Sequence, residues 1–236
     1  MNRTKKNVLI KAALIIFLSL PLIADAQTVV LRKDPGNEIL VDRGPNSKTH
    51  TSFYVGIGFP VSPDNKGAGI MYGLSLNTPI GFRIKYKIGS VYSMGWTIGY
   101  EYAEYKLKQN DTKVFPDTNR YDAQRLDINY GTLGYFNRFN FDPNRGNIIG
   151  AYLEIGVKAK YAFSASDIRK YKVPTGNAKT EISGLIYFNN FQADAYAELG
   201  RNHFYLNAAL RLTKLFKSSY NFPDLPTLTV GIGVGF

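Results

Sequence analysis

The chain has 236 residues, of which 44% are hydrophobic, 14% aromatic and 20% charged, with a formal net charge of +11. The absence of Cys excludes disulfides. No helix-period stretch of useful length occurs after residue 27 and no apolar run there reaches eighteen residues, so a spanning helix is excluded from that part of the chain.

The first residues read as an export signal. Arg3, Lys5, Lys6 and Lys11 precede an apolar stretch of twelve, Ala12 to Ile23, and Ala24-Asp25-Ala26 fits the A-x-A cleavage pattern. Residues 1–26 are therefore expected to be a removed signal peptide; an anchor helix is the alternative, but twelve residues are too few for it. Taking away four bases and one acid leaves 25 bases and 17 acids, a mature charge of +8. Behind an export signal, that balance points to an anionic membrane surface rather than to nucleic acid. Residues 27–49 hold Pro35, Gly36, Gly44 and Pro45 among charges and read as a short tail.

From residue 50 onward the dominant signal is period-two alternation, the mark of strands with two unlike faces. The first strand, near Thr51 to Phe59, puts Phe53, Val55, Ile57 and Phe59 on one face. Ser62 to Gly67 is a turn by composition, and Ile70, Tyr72, Leu74 and Leu76 alternate as a strand-like arm. Ile80, Phe82, Ile84, Tyr86 and Ile88 then face out, with Arg83, Lys85 and Lys87 facing in. Met94 to Lys108 turns Trp96, Ile98, Tyr100 and Tyr102 outward and Glu101 inward. In Gln124 to Phe139 the apolar residues first fall on even positions (Leu126, Ile128, Tyr130) and then on odd ones (Leu133, Tyr135). That slip predicts a bulge near Gly131 to Gly134, with Arg125 and Asp127 inward.

Asp142 to Gly146 is a tight turn. Ile149 to Phe163 is the cleanest strand, with Glu154, Lys158 and Lys160 inward. Ser164 to Glu181 reads as a polar loop, and Leu185 to Leu199 as a strand with Asp194 and Glu198 inward. After Gly200-Arg201-Asn202, Phe204 to Leu212 alternates against Tyr205, Asn207, Ala209 and Arg211. Lys214 to Pro226 is the last long loop. The closing run L-T-V-G-I-G-V-G-F has Val230, Ile232, Val234 and Phe236 on one face.

These eight strands are joined by connections that alternate long and short. That is the habit of an antiparallel up-and-down transmembrane β-barrel with long outer loops and short periplasmic turns, both termini being periplasmic. A ten-stranded barrel using Ile70 to Leu76 is the alternative. A soluble barrel would instead have a polar outer face and an apolar interior. The expected lumen network is Arg83, Lys85, Lys87, Glu101, Arg125, Asp127, Glu154, Lys158, Lys160, Asp194, Glu198 and Arg211. Eight strands enclose only enough room for side chains, and buried charges must pair, so a salt-bridged plug is expected; a small anion-preferring conduit is the alternative.

Little chemistry is legible. His50 and His203 are the only histidines, and both fall at the periplasmic end, a span away from Ser164 and Ser166. General base catalysis needs contact at about 3 Å, so no catalytic set is expected. Neither is a metal or a cofactor, since no ligand spacing or nucleotide fingerprint occurs. Arg169, Lys170, Lys172 and Lys179 form a basic outer stretch that would suit lipopolysaccharide phosphates.

The closing strand looks like the terminal strand of a bacterial outer-membrane barrel, which implies that Val230, Ile232, Val234 and Phe236 serve as a signal to the barrel-assembly machinery. Over residues 50–236, the strand I-G-F-R-I-K-Y-K-I leading into W-T-I-G-Y-E-Y, together with L-P-T-L-T-V-G-I-G-V-G-F, resembles the small outer-membrane barrels of Bacteroidetes. These include the PorT-like group, some of which serve type IX secretion. The resemblance implies a non-enzymatic envelope barrel that binds a protein partner. A narrow solute or ion channel and an outer-leaflet lipid-modifying enzyme are the alternatives.

Overall fold

The computed structural model describes residues 44–61, 67–174 and 176–236. The expected signal peptide, most of the tail, and the turn residues 62–66 lie outside the described residues. The strands are β1 (Thr49–Pro60), β2 (Leu76–Lys87), β3 (Tyr92–Leu107), β4 (Ala123–Asn140), β5 (Ala151–Val173), β6 (Gly176–Ser183), β7 (Phe191–Arg201), β8 (Phe204–Arg211) and β9 (Leu228–Gly235). They form one antiparallel sheet in the order β4-β3-β2-β1-β9-β8-β7-β5-β6, and β4 also pairs with β5. That last pairing closes an eight-stranded barrel, with β6 outside the ring as an extra strand on β5. Closure leaves the barrel wall without a free edge, so its main-chain groups are satisfied within the sheet.

The two faces of the wall follow the alternation. Ile57, Phe82, Trp96, Ile98, Leu133, Ile155, Val157, Phe191, Leu199, Leu206 and Ile232 are all exposed on the outside. Arg83, Glu101, Arg138, Glu154, Lys160, Asp194 and Glu198 are buried inside. This is the reverse of a water-soluble barrel: the outside suits hydrocarbon. Two tyrosine–asparagine hydrogen bonds bound the belt on β3 and β4, Tyr100 to Asn129 at 2.5 Å and Tyr92 to Asn137 at 2.6 Å. The stretch from Asn129 to Asn137 rises about 26 Å along the strand, or about 20 Å of thickness at a usual tilt.

Inward glycines and aromatic rings are paired across neighbouring strands. Tyr54 lies opposite Gly81, Phe136 opposite both Gly95 and Gly156, Tyr196 opposite Gly156, Tyr152 opposite Gly200, and Tyr205 opposite Gly200 and Gly233. A Cβ on Gly156 would stand 2.7 Å from the Tyr196 ring, and one on Gly200 or Gly233 would strike Tyr152 or Tyr205. The missing side chains thus let the rings lie against the wall, where they take up the space that eight strands leave.

Beyond the belt, at the end bearing the long connections, polarity inverts. Ala103, Tyr105, Leu107, Leu126, Ile128, Tyr130 and Ala162 face inward and join Ile70, Phe115, Leu185, Phe188, Leu215, Phe216 and Leu225 in one apolar core. Outward there stand Glu104, Lys106, Arg125 and Asp127, joined by ion pairs.

This inversion corrects the reading of β4. Its even residues point inward along the whole strand, and β4 has no phase slip. Leu126, Ile128 and Tyr130 serve the loop core, while Leu133 and Tyr135 serve the belt, so the apolar face changes because the surroundings change. The register shift opposite Asn129 and Tyr130 lies instead on β5, where Phe163 is the extra residue. Ser164 to Glu181 is not a loop: β5 continues to Val173 and β6 returns beside it. Of Ile70 to Leu76, Ile70 makes one bridge to Leu107 and Leu76 opens β2, but the stretch forms no span of its own, so the ten-stranded alternative fails. Leu185 is buried in the loop core with Tyr187 packed against it, and the strand starts at Phe191.

Trp96 is the single Trp and is 50% exposed on the belt. Its fluorescence in lipid vesicles should be blue-shifted and strongly quenched by brominated acyl chains; quenching by aqueous iodide instead would contradict the outward face. Gly200→Ala should lower stability by about 1–3 kcal/mol in denaturant unfolding, as overpacking does. Gly131→Ala, with nothing within 4 Å of its Cβ, should change little.

Candidate functional site

The lumen is closed at three levels, and each is built from a different part of the chain. At the short-turn end, residues 44–48 run across the mouth from the start of β1 toward the β4–β5 turn. That turn is on the far side of the ring, since β2 and β3 on one side and β9, β8 and β7 on the other separate β1 from the strands it joins. Asn46 Nδ2 donates to the Gly146 carbonyl at 2.6 Å, and Arg145 Nη2 donates to Asn46 Oδ1 at 2.9 Å. Lys85 Nζ donates to the Pro45 carbonyl, and Lys87 Nζ to the Asn46 carbonyl at 3.3 Å. Ser47 is buried and its hydroxyl bridges the carbonyls of Gly44 and Thr49 at 2.7 and 2.6 Å. Gly44 holds φ +110° hard against the Asn147 side chain, a position only glycine fills without strain.

In the middle, two charge clusters fill the axis. In the first, Arg83 pairs with Glu198 at 2.7 Å and with Glu154 at 3.4 Å, and Arg138 pairs with Glu154 at 2.8 Å. In the second, Lys160 pairs with Glu101 at 2.9 Å and Asp194 at 2.7 Å, and Lys158 reaches Glu101 at 3.3 Å. Asn77 Nδ2 also donates to Glu101 at 2.8 Å. Each cluster has two bases and two acids, so each is neutral. The wall aromatics complete the coordination: Arg83 lies 5.3 Å from the Tyr54 ring centroid, Arg138 4.0 Å from that of Tyr152, and Lys160 4.8 Å from that of Tyr130. Between the second cluster and the glycines of β1 and β9 (Gly56, Gly58, Gly231) remains a cavity of about 40 Å³. That is room for a water or two, not for a solute.

At the long-loop end, Arg211 ties the last loop down. Its Nη2 donates to Asp224 at 2.9 Å and to the Leu225 carbonyl at 2.7 Å. Above it sits the apolar core, with Phe115 and Phe216 rings 4.2 Å apart and Tyr187 and Phe222 packed around them. The β3–β4 loop is held by Lys113, which reaches Asp117 at 3.3 Å and also donates to the Asn119 carbonyl. Burial pushes the Lys113 ammonium below its ordinary value against the pull of Asp117.

Of the twelve residues expected to line the lumen, Arg83, Glu101, Glu154, Lys158, Lys160, Asp194 and Glu198 meet in the two clusters. Lys85 and Lys87 point inward, at the mouth; Arg211 points inward, under the cap. Arg125 and Asp127 are corrected: they face outward beyond the belt, paired at 3.1 Å, because β4 keeps one phase. Arg138 was not among the twelve, although the phase expected after Gly134, with Leu133 and Tyr135 outward, already turns it inward. Arg169 points inward to Asp117 and Asp167, at 2.9 and 2.6 Å, whereas Lys170, Lys172 and Lys179 flank it on the β5–β6 hairpin. Val230, Ile232 and Phe236 are exposed, and Val234 shares their face of β9. His50 begins β1, and His203 Nδ1 lies 2.7 Å from the Gly235 carbonyl, both at the short-turn end; Ser164 and Ser166 lie beyond the belt on β5.

No protein-family model and no curated protein matches the chain. Among solved structures it is similar to the N-terminal β-barrel domain of Pseudomonas aeruginosa OprF, at 13% identity and a TM-score of 0.31, covering 78% of this chain and 97% of that one. It is similar to Ail, the attachment invasion locus protein of Yersinia pestis, at 13% identity and a TM-score of 0.35, covering 79% and 97%. A major outer membrane protein from Thermus thermophilus gives 14% identity, a TM-score of 0.34, and coverage of 79% and 99%. At such identities and scores the likeness does not extend to function.

Glu154 is fully buried between Arg83 and Arg138. Glu154→Gln leaves two guanidiniums sharing one carboxylate and should cost about 3 kcal/mol in denaturant unfolding. Asp111→Asn removes a surface pair with Arg120, the Asp111 side chain being 82% exposed, and should cost less than about 1 kcal/mol.

Proposed function

We propose that the chain is an outer-membrane barrel of the cell envelope that conducts no solute, performs no catalysis, and acts by binding a partner with the sheet and loops that rise beyond its belt. The single observation that carries this reading is the lumen, closed by the 44–48 segment, by two neutral ion clusters and by an apolar cap. With the interior filled, the surface left for work is the long-loop end, where β3, β4, β5 and β6 continue past the belt. The apolar outer face supports residence in a bilayer, and the alternation of short and long connections supports periplasmic termini.

The resemblance to the PorT-like barrels favours a protein-secretion or surface-assembly component as the partner. Lys106, Arg125, Lys170, Lys172 and Lys179, at and above the belt's edge, favour contact with lipopolysaccharide phosphates. The exposed face of β9, with Val230, Ile232 and Phe236, suits recognition by the barrel-assembly machinery. The channel reading draws on the inward bases Arg83, Lys85 and Lys87, and the enzyme reading has its histidines and serines at opposite ends of the barrel.

Planar bilayers carrying the purified protein should show no steady current. A steady current whose ion preference changes when Arg83, Lys85 and Lys87 are replaced by Gln would establish the channel instead. Lipid A profiles should be the same with and without the gene. Affinity purification in mild detergent should recover an envelope protein, and recovery should be lost when residues 171–178 are replaced by a short turn.

A further inference from the structure

The sheet that stands beyond the belt has two edges, and the chain treats them differently. On the β3 side the edge is covered by the segment before β2: Ile70 bridges Leu107, the Met71 N–H donates to the Lys106 carbonyl at 2.7 Å, and the Lys108 N–H donates to the Gly69 carbonyl at 2.8 Å. On the other side β6 pairs with β5 without interruption from Ser183 to Gly176, and among the described residues no strand pairs with its far edge. In an antiparallel strand, alternate residues aim their N–H and C=O groups away from the existing neighbour. The far edge of β6 is therefore a row of main-chain donors and acceptors open to another strand.

Edge strands are commonly guarded by charge of one sign, by Pro or by a bulge. β6 has no Pro, and its pairing with β5 shows no register shift. It carries one base and one acid, Lys179 and Glu181, on the same face and on either side of Thr180, and within one copy they pair with each other at 3.1 Å. That pattern is self-complementary. Antiparallel pairing of two copies about Thr180 sets Lys179 opposite the second copy's Glu181, and Glu181 opposite its Lys179. Thr180 then faces Thr180, and Ala178 faces Ile182, which is itself exposed. Opposite charges and β-branched residues directly across a ladder each stabilise it, so the feature that would normally repel a second copy here matches one.

We propose that β6 is a docking edge for a second copy of this chain, joined through antiparallel pairing of residues 177–183 about Thr180. The inference rests on the membrane reading above, from which its geometry follows. Two antiparallel strands in one sheet are related by a two-fold axis perpendicular to the sheet, which reverses the direction in which each barrel points. The two barrels therefore sit in facing membranes rather than side by side in one. β5 runs ten residues past Phe163 to Val173, about 25 Å above the belt at a usual tilt. One such contact buries far less than the roughly 1,000 Å² of a stable interface, so attachment comes from many contacts between two surfaces acting together.

The test is vesicle clustering by the full-length barrel reconstituted in phosphatidylcholine liposomes, read by light scattering. Wild-type proteoliposomes should cluster. Lys179→Glu vesicles and Glu181→Lys vesicles should each lose clustering about tenfold, since both cross-strand pairs become repulsive. The double variant Lys179→Glu/Glu181→Lys should recover it. Most tellingly, Lys179→Glu vesicles mixed with Glu181→Lys vesicles should cluster with each other, because the changed residues again face opposite charges. Wild-type vesicles that stay dispersed, clustering indifferent to the charge swaps, or dimers confined to one bilayer would each overturn the proposal. Trp96 quenching by brominated lipid and the absence of current in the same preparations separate that outcome from a failure of the sealed-barrel reading.

Discussion

Glu154 lies wholly buried between the guanidiniums of Arg83 and Arg138, and its charge is tolerable there only because both are present. The same holds for each ionic group in the middle of the barrel. Eight strands leave an interior of side-chain width, and the water or two that fits beside the second cluster is far short of the shell that would otherwise solvate its charges. Neutrality within each cluster is thus a condition of folding. Arg83 and Arg138 need Glu154 and Glu198; Lys158 and Lys160 need Glu101 and Asp194. The rings of Tyr54, Phe136, Tyr152, Tyr196 and Tyr205 fill what the ion pairs do not, and they can do so because their cross-strand neighbours are glycines.

The wall then reverses its polarity partway along its length. Within the belt the strands bury charge and expose hydrocarbon; beyond it they bury hydrocarbon and expose charge. β4 crosses that boundary without changing phase. Ile128 and Leu133 are both apolar, yet they point to opposite sides, and each is in the low-polarity region of its own level. The loop core beyond the belt is an ordinary aqueous core, with Phe115, Phe188, Leu215 and Leu225 almost fully buried. It is assembled from the four connections that carry Ile70, Phe115, Phe188 and Leu215 as well as from β3, β4 and β5, so the cap depends on loops that the barrel holds together.

Much of this was legible in the sequence where a strand meets one environment on each face. The outward rows of β1, β2, β7, β8 and β9, and those of β3 and β5 within the belt, could be read from alternation alone, and with them the lumen positions of Arg83, Glu101, Glu154, Lys160, Asp194 and Glu198. The reading failed where the environment changes along a strand. Even-numbered Leu126, Ile128 and Tyr130 followed by odd-numbered Leu133 and Tyr135 looks like a bulge if the apolar face is assumed to be the outer face throughout, and that assumption misplaced Arg125 and Asp127. β6 was missed for a related reason. Both its faces meet water, so Asn177, Lys179, Thr180 and Glu181 carry no hydrophobic period. The loop core was invisible because Phe115, Phe188 and Phe216 come from connections that no local pattern brings together. The 44–48 segment left no trace either, since it binds through main-chain carbonyls that any residue supplies.

The belt between the Tyr100–Asn129 and Tyr92–Asn137 hydrogen bonds carries one more implication. Its thickness of about 20 Å is less than the roughly 30 Å of hydrocarbon in an average bilayer. In the membrane residence proposed above, an average bilayer would have to thin to meet this barrel, at a cost of fractions of a kcal/mol per Å. On that reading the protein gathers short-chain or disordered lipids around itself and favours company of matching height, so that its distribution in the plane is set partly by elastic deformation of the surrounding film.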